Sequence, residues 1–372
     1  MRILLLGEAS YLQNTLKKGL LARGHRVVLA SDGNGWHNSP RDIDLRRNMR
    51  WGKLSGIVVL LKLLRHLSTI CGNDIVQVHN YLFVPLMPFW NKWIFRFLKL
   101  TNKKVVKGCW GDDPQIFRMQ AQGVPRYSDT FWNGQPQNLE ANHERIAEQM
   151  IPSAQDCWHD VTVRSDALVP CLYEYYLCYD TPMYNSKLHY LPLPMEIPTD
   201  GKVRVKGQDA VIKVLVGLQP NREFIKGAMR IAHFVEVLAK RHSGKIDIRY
   251  VEGVPYDEYC DMIDEADVLV DQFYSYTPSM NSLAAMARGT VAIGGGEEEY
   301  YRFIGERELR PIINVSPEYS DQENVSILEK AFFPQGNLAK LSAQSIDFVR
   351  KYHDYHRVAE QYEQMYLELL KI

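Results

Sequence analysis

Short runs of Val, Ile and Leu recur along this chain, each separated from the next by about one helix of amphipathic sequence. Ile3–Leu6 leads into a helical pattern that reaches about Ala22, and Arg23-Gly24-His25 then turns into the run Arg26–Ala30. Further runs stand at Ile75–His79, Lys104–Gly108 and Ala167–Pro170. A strand that is apolar on both faces must be covered on both faces, and helical connections supply that cover in a doubly wound parallel sheet. The alternation restarts beyond Val211, with strands expected at Lys213–Gly217, Asp247–Val251, Val268–Asp271 and Val291–Ile293. Between the two series, Leu191-Pro192-Leu193-Pro194-Met195 and Pro198-Thr199-Asp200-Gly201 form a proline-rich exit that reads as a linker. At 372 residues the chain exceeds one ordinary core. Two Rossmann-like α/β domains are therefore expected, 1–195 and 196–345. Ligands bind at the carboxyl ends of such sheets, so the expected site is a cleft across which the two domains face each other.

Residues 111–160 show little periodicity and read as loops and short helices over one face. Gly56–Leu67 and Pro88–Leu100 are helix candidates that mix apolar residues with Lys62, Arg65, Lys92 and Arg96. For Val58–Leu64 the first expectation is packing on the domain's own sheet. The opening Met1-Arg2-Ile3-Leu4-Leu5-Leu6-Gly7 is too short in its apolar part for a signal peptide, and Glu8 follows at once. No apolar run approaches the roughly 20 residues that span a bilayer. Six cysteines without C-x-x-C or zinc spacing suggest reduced thiols in a cytoplasmic protein.

The formal net charge of zero hides an asymmetry. Residues 1–110 contain 18 Lys and Arg against 5 Asp and Glu, a balance of +13, and the remainder carries −13. Such a basic region suits a membrane surface, a nucleic acid or a phosphorylated ligand, or simply attraction to the acidic half.

Two segments of the second series carry the chemistry. In Val214-Leu215-Val216-Gly217-Leu218-Gln219-Pro220-Asn221-Arg222-Glu223-Phe224-Ile225-Lys226-Gly227 a buried strand ends and a loop delivers two cations to a helix start. Such a start attracts anions, because its free N–H groups and the helix dipole add to the cationic charge. In Asp271-Gln272-Phe273-Tyr274-Ser275-Tyr276-Thr277-Pro278-Ser279-Met280-Asn281 a second strand ends in a hydroxyl-rich loop, and a helix opens near Ser279–Ser282. Small residues then allow close packing until Gly289 ends the helix.

These segments resemble the donor domain of GT-B glycosyltransferases, especially the retaining enzymes of family 4. Arg222 and Lys226-Gly227 match the family's diphosphate-binding loop, with one residue fewer between Arg and Lys. Leu283-Ala284-Ala285-Met286-Ala287-Arg288-Gly289 is similar to its Leu-Glu-Ala-Met-Ala-x-Gly helix. Asp166-Ala167-Leu168-Val169-Pro170 and the prolines after Leu191 resemble the close of the acceptor domain. The last helix, from about Leu338 to Leu370 and broken near His353-Asp354, is similar to the one that crosses back, so 346–372 is expected on the first domain. The family has two glutamates separated by seven residues, where this chain has Tyr276 and Ala284. Asp271, Gln272, Tyr274 and Tyr276 are then the candidates for sugar and ribose contacts beside Ala284.

The resemblance implies transfer of a sugar from a nucleotide-diphosphate donor to a glycan or lipid-linked glycan, in cell-surface polysaccharide or glycoconjugate synthesis. Arg222, Lys226, Gly227 and the amides of Ser279, Met280 and Asn281 would take the charge that develops on the departing diphosphate. No metal or cofactor is expected; Asp42-Ile43-Asp44 lies in a basic polar loop. The turn Glu252-Gly253-Val254-Pro255 is either the nucleobase contact or an ordinary βα turn. On the acceptor side stand Gly7 and Glu8, His79 and Asn80, and Gly111, Asp112 and Asp113. His79 reads equally as a polar strand end. Asp112 or Asp113 can serve as a general base in an inverting enzyme, or as a helix N-cap.

The expected partners are a nucleotide-sugar, an acceptor and, through the basic first domain, the inner face of a membrane, with no nucleic acid. The rivals are a non-catalytic sugar-nucleotide or glycan-binding protein and a nucleotide-sugar epimerase of the same architecture. A dinucleotide-dependent oxidoreductase ranks lower, since neither Gly7-Glu8-Ala9-Ser10 nor Gly294-Gly295-Gly296 supplies the G-x-G-x-x-G spacing.

Overall fold

The computed structural model describes residues 1–33, 38–52, 54–199, 201–205, 207, 210–218, 226–334 and 337–371. The chain forms two compact units, one of residues 1–119, 144–194 and 355–372, the other of 120–143 and 195–354.

The first unit is built on a parallel sheet of β1 (Arg2–Leu6), β2 (Arg26–Ser31), β3 (Ile43–Asp44), β4 (Ile75–Val78), β5 (Lys104–Cys109) and β8 (Ala167–Pro170). Its spatial order is β3-β2-β1-β4-β5-β8. Counted within the sheet this is 3-2-1-4-5-6, the Rossmann order, whose connections reverse direction between β1 and β4. Ile3, Leu4, Leu5 and Leu6 are each at most 1% exposed, which fits a strand covered on both faces. One face carries a core of Leu4, Leu6, Val76 and Val78 with Val59 and Leu63, Phe95 and Leu98, and Trp158 and Val161 from three connecting helices. The other face receives Leu12–Ala22 and the C-terminal helix Tyr355–Lys371. These two helices cross at Gly19, where a Cβ would stand 2.5 Å from Ala359 Cβ. Arg23 pairs with Glu363 at 2.5 Å, and Tyr366 donates to Gln77 Oε1 at 2.6 Å.

A polar group is sealed inside this unit. Lys107, on β5, and Asp113 are both wholly buried and pair at 2.9 Å. Tyr179 accepts from Lys107 Nζ at 2.6 Å and from Trp158 Nε1 at 3.1 Å, and donates to Asp113 Oδ2. Burial alone would push Lys107 down; the Asp113 carboxylate outweighs it and holds the ammonium above its ordinary pKa. Asp113 Oδ1 also accepts from the amides of Gln115 and Ile116, at 2.9 and 3.0 Å, at the start of the helix Pro114–Gln120. The N-cap reading of Asp113 is the one the structure bears out.

The second unit has a parallel five-stranded sheet of order β10-β9-β11-β12-β13. Its strands are β9 (Ile212–Leu218), β10 (Ile246–Glu252), β11 (Val268–Val270), β12 (Val291–Gly294) and β13 (Ile313–Asn314). Within the sheet the order is 2-1-3-4-5, the other doubly wound arrangement, with its reversal between β9 and β11. β10 alternates exposed and covered residues because it is the edge strand. Gly289 follows the helix Met280–Ala287 in a left-handed conformation, as its sequence position suggests, and a Cβ there would sit 2.1 Å from Lys202 O. Gly289→Ala is expected to cost about 1–2 kcal/mol from the backbone conformation alone, plus the displacement of that carbonyl. Urea unfolding of the two proteins measures the difference.

Three expectations are corrected. Residues 120–143, including the ribbon of β6 (Phe131–Trp132) and β7 (Gln135–Pro136), belong to the second unit although they lie within 1–195. The 111–160 region is more helical than its composition suggests, with helices Leu139–Met150 and Pro152–Arg164. The C-terminal crossing occurs at 354/355, so 346–354 stay with the second unit, in the helix Asn337–Tyr352 and the break after it.

Glu306, in the second unit, is buried and accepts from Lys351 Nζ at 2.6 Å, Tyr352 OH at 2.8 Å and the amides of Glu308 and Leu309 at 2.7 and 3.0 Å. Burial raises its pKa, but these donors together outweigh burial and hold it well below its ordinary value. A depressed carboxylate pKa stabilises the fold above the unfolded value of 4.5, and that contribution disappears as pH falls below it. Glu306→Gln is expected to be less stable at neutral pH. Its stability should also fall less steeply below pH 4.5, as urea midpoints across a pH series would show.

Candidate functional site

The second unit gathers its polar groups at the reversal point, where β9 and β11 end side by side. After β11, Phe273 N donates to Lys226 O at 2.9 Å, tying the two loops together. Gly227 is left-handed (φ 71°) and opens the helix Ala228–Arg241. A Cβ on Gly227 would meet Phe273 Cβ at 2.8 Å and Tyr274 Cε2 at 2.9 Å, so only glycine lets the loops approach this closely. Lys226 is half-buried at this junction. Arg222, with the rest of 219–225, lies outside the described residues.

The neighbouring helix start is built with equal economy. Ser279 is the N-cap of Met280–Ala287 and accepts from Asn281 N at 3.2 Å. Its hydroxyl donates to Asp271 Oδ2 at 2.5 Å, and Ser282 Oγ donates to the same oxygen. Asp271 is 8% exposed. Through its Oδ2 it fixes the helix start from beneath. Asn281 Oδ1 accepts from Tyr259 OH at 3.0 Å, and Tyr259 lies over Gly217 at the end of β9, where a Cβ would come within 2.6 Å of its hydroxyl. Met280, Ala284, Gln272 and Tyr274 are half-buried around this point. Two loops with a lysine, a left-handed glycine and a capped helix N-terminus at one sheet end make a cradle for an anion. The turn Glu252-Gly253-Val254-Pro255 leaves β10 next to β9. Glu252, Gly253 and Pro255 are exposed, and Val254 packs on the core of Leu215 and Ile263.

Tyr276 lies elsewhere than expected. It is 1% exposed and stacked on Tyr127, with ring centroids 4.3 Å apart and planes at 21°. Tyr127 OH donates to Glu297 Oε1 at 2.7 Å. Next to it, Arg126 pairs with Glu299 at 2.5 Å and Glu318 at 2.8 Å. Tyr276 is thus roofed by the 120–143 segment and offers no surface to a sugar.

In the first unit, the expected acceptor-side residues do converge, at the carboxyl ends of β1, β4 and β5. Gly7 has φ +84°, and a Cβ there would lie 1.9 Å from His79 Nδ1. Asn80 Nδ2 donates to Asp112 O at 3.1 Å, just beyond Gly111. His79 is kept neutral: burial pushes its pKa down to about 4, the Asp32 charge opposing and Lys107 assisting. Two carboxylates, however, are committed to the fold. Glu8 accepts from the amides of Ala9, Gln13 and Asn14 at 2.8, 2.9 and 3.0 Å and from Asn14 Nδ2 at 2.6 Å, so it secures the start of Leu12–Ala22. Asp113 is the buried partner of Lys107. Asp112 alone stays partly exposed, gripped by Arg145 through two bonds of 3.0 Å.

Asp42 and Asp44 are likewise engaged, by Lys17 at 2.6 Å and by Arg46 at 2.9 Å. Among the described residues no group of three His, Cys, Asp or Glu is arranged to hold a metal ion. Three contributors escaped sequence reasoning: Tyr259, Tyr127 and Glu297. The last two are 170 positions apart in sequence and carry no motif that would pair them.

Two Rossmann-like units of this construction define the GT-B fold, which is the fold of this chain. No family model matches the sequence, and no curated protein does. Solved structures do. Sucrose-phosphate synthase from Thermosynechococcus elongatus aligns over 100% of both chains, with a TM-score of 0.60 and 12% identity. Anabaena HepE in complex with UDP-glucose aligns over 100% of both, at 0.56 and 8%. WaaG, a glycosyltransferase involved in lipopolysaccharide biosynthesis, covers 96% of this chain and 98% of its own, at 0.54 and 13%.

Proposed function

We propose that this protein is a glycosyltransferase that takes a sugar from a nucleotide-diphosphate donor and passes it to a glycan or lipid-linked glycan. The observation that carries this reading is the meeting of Lys226-Gly227 with the capped helix at Ser279, at the switch point of the second sheet. The diphosphate lies against Lys226, the Gly227 loop and the amides near Met280 and Asn281, with Arg222 as a second cation. The base rests by Glu252–Pro255. Sugar and ribose contacts fall to Gln272, Tyr274 and backbone around Ala284, since Asp271 and Tyr276 are committed elsewhere. As the glycosidic bond breaks, charge gathers on the leaving diphosphate, and these fixed positive groups stabilise it more than they stabilise the bound donor. This chemistry needs no metal, and the resemblance to family 4 favours retention of configuration. The acceptor belongs to the first unit, near Gly7, His79, Asn80 and Gly111. Cell-surface polysaccharide or glycoconjugate synthesis in the cytoplasm, at the inner membrane face, is the setting that suits it.

HepE, solved with UDP-glucose, and WaaG, named for lipopolysaccharide synthesis, support the donor class and the kind of product. One observation favours a second reading, a sugar-nucleotide-binding protein without catalysis: the position of one family glutamate is a tyrosine sealed beneath Tyr127, and that of the other is Ala284.

Thermal melting with UDP-, GDP- and CMP-sugars tests the proposal. At least one should raise the melting temperature of the wild type and fail to do so for Lys226→Ala. No shift with any donor, or equal shifts in both proteins, rejects the diphosphate site. A shift without donor hydrolysis or transfer selects the second reading.

A further inference from the structure

The outer surface of the first unit departs from the expectation that its apolar helices pack only inward. The helix Leu54–Arg65 buries Val59 and Leu63 against the sheet, as its pattern suggests. Yet Leu54, Ile57, Leu61 and Leu64 are 53–63% exposed. Their spacing of three, four and three puts them on one stripe, opposite the buried one. The helix Pro88–Thr101 repeats the arrangement. Asn91, Phe95 and Leu98 face inward. Phe89, Trp93, Phe97 and Leu100 form an outward stripe, exposed by 39–86%. Both helices contribute to the same core on the same face of the sheet, and Leu86, just ahead of the second, sits 3.4 Å from where a Cβ on Gly56 of the first would be. The two stripes therefore look outward from one side of the unit.

The two helices themselves are basic, although Lys92 and Arg96 of the second are paired by Asp156 and Asp160 of the neighbouring helix Pro152–Arg164. Between residues 45 and 111 the only carboxylate is Asp74. At the flank of the first stripe, Arg46, Arg47, Arg50 and Lys62 line an open cavity of about 440 Å³ with Asn48 and Asp44. Asp44 is taken up by Arg46 and Arg41. Among the described residues no carboxylate pairs with Arg47, Arg50 or Lys62.

We propose that this face docks on an anionic lipid bilayer, with the two stripes entering the headgroup–acyl boundary and the Arg47–Arg50–Lys62 cavity receiving lipid phosphate. Aromatic side chains amid aliphatic ones, bordered by cations, suit the interfacial zone of a membrane. Pairing with a second copy is disfavoured, because a two-fold interface would oppose Arg47, Arg50 and Lys62 to their own kind, and the nearby Asp44 is already taken up by Arg41 and Arg46. The proposal rests on the first unit alone and stands whether or not the donor site is as described.

Sedimentation with vesicles of phosphatidylcholine, with and without 30% phosphatidylglycerol as a chosen test fraction of about one lipid in three, decides the matter. The full-length protein should sediment with the anionic vesicles and lose binding as salt rises. Arg50→Gln with Lys62→Gln should weaken binding about 25-fold, at roughly fivefold per cation. Trp93→Glu with Leu61→Glu should abolish it, with circular dichroism and melting unchanged because both sites are exposed. Equal binding to both vesicle types, no binding to either, or variants that bind like wild type would overturn the proposal. So would a lipid-free dimer that the Trp93 and Leu61 substitutions convert to monomer, which would mark the face as a protein interface.

Discussion

Lys107→Met is expected to destabilise the protein by about 3–5 kcal/mol, the usual effect of removing one partner from a buried ion pair. Asp113 would lose its cationic partner inside a core that gives it no access to water, with only Tyr179 and two amides left as donors. Asp113→Asn should cost less, since an amide keeps hydrogen bonds without an ionic charge. Even so it leaves Lys107 unpaired, and the pKa of that lysine should then fall, because burial would no longer be opposed by a carboxylate. Urea unfolding of the three proteins at neutral pH tests the order wild type, Asp113→Asn, Lys107→Met. A Lys107→Met protein as stable as the wild type would show that the pair contributes nothing beyond its volume.

The second large effect belongs to the proposed donor site. With whichever nucleotide-sugar stabilises the wild type, Lys226→Ala is expected to lower kcat/KM by about 10²–10³-fold, the range found when one preorganised donor to a developing anion is removed. The substituted side chain is half-buried at a loop junction, and the junction itself is held by the Lys226 backbone carbonyl, which alanine retains. The variant should therefore unfold at the wild-type urea midpoint. A loss confined to KM would assign Lys226 to ground-state binding rather than to the leaving group.

The architecture was largely legible from sequence because parallel strands buried on both faces leave unbroken apolar runs, as at Ile3–Leu6 and Val268–Val270. The glycines were legible where the backbone demanded them: Gly227 and Gly289 both adopt the left-handed conformation that their places at helix boundaries suggest. The fate of individual carboxylates was not. Glu8, Asp113 and Asp271 each follow a strand end, where sequence places ligand contacts, yet each turns inward to hold a helix start. The choice between an inward cap and an outward ligand depends on where neighbouring N–H and hydroxyl groups fall, and periodicity carries no record of that. Tyr127 was equally hidden, since its partners come from a strand end and a helix start that lie far along the chain.

The threading of the chain also sets a timetable. It passes between the units at 119/120, 143/144, 194/195 and 354/355, so neither unit is a continuous stretch of sequence. As the protein leaves the ribosome, the first sheet has all its strands by Pro170 but lacks the helix Tyr355–Lys371 that covers Leu12–Ala22. Residues 120–143 meanwhile wait, with Tyr127 and Phe131 uncovered, for a sheet that does not yet exist. The N-terminal-first order that is usual for chains of this size is reversed here, because the first unit alone needs the last helix. The second unit therefore has all its residues once Asp354 has emerged, while the first, begun earlier, is finished last, when Tyr355–Lys371 arrives to cover Leu12–Ala22.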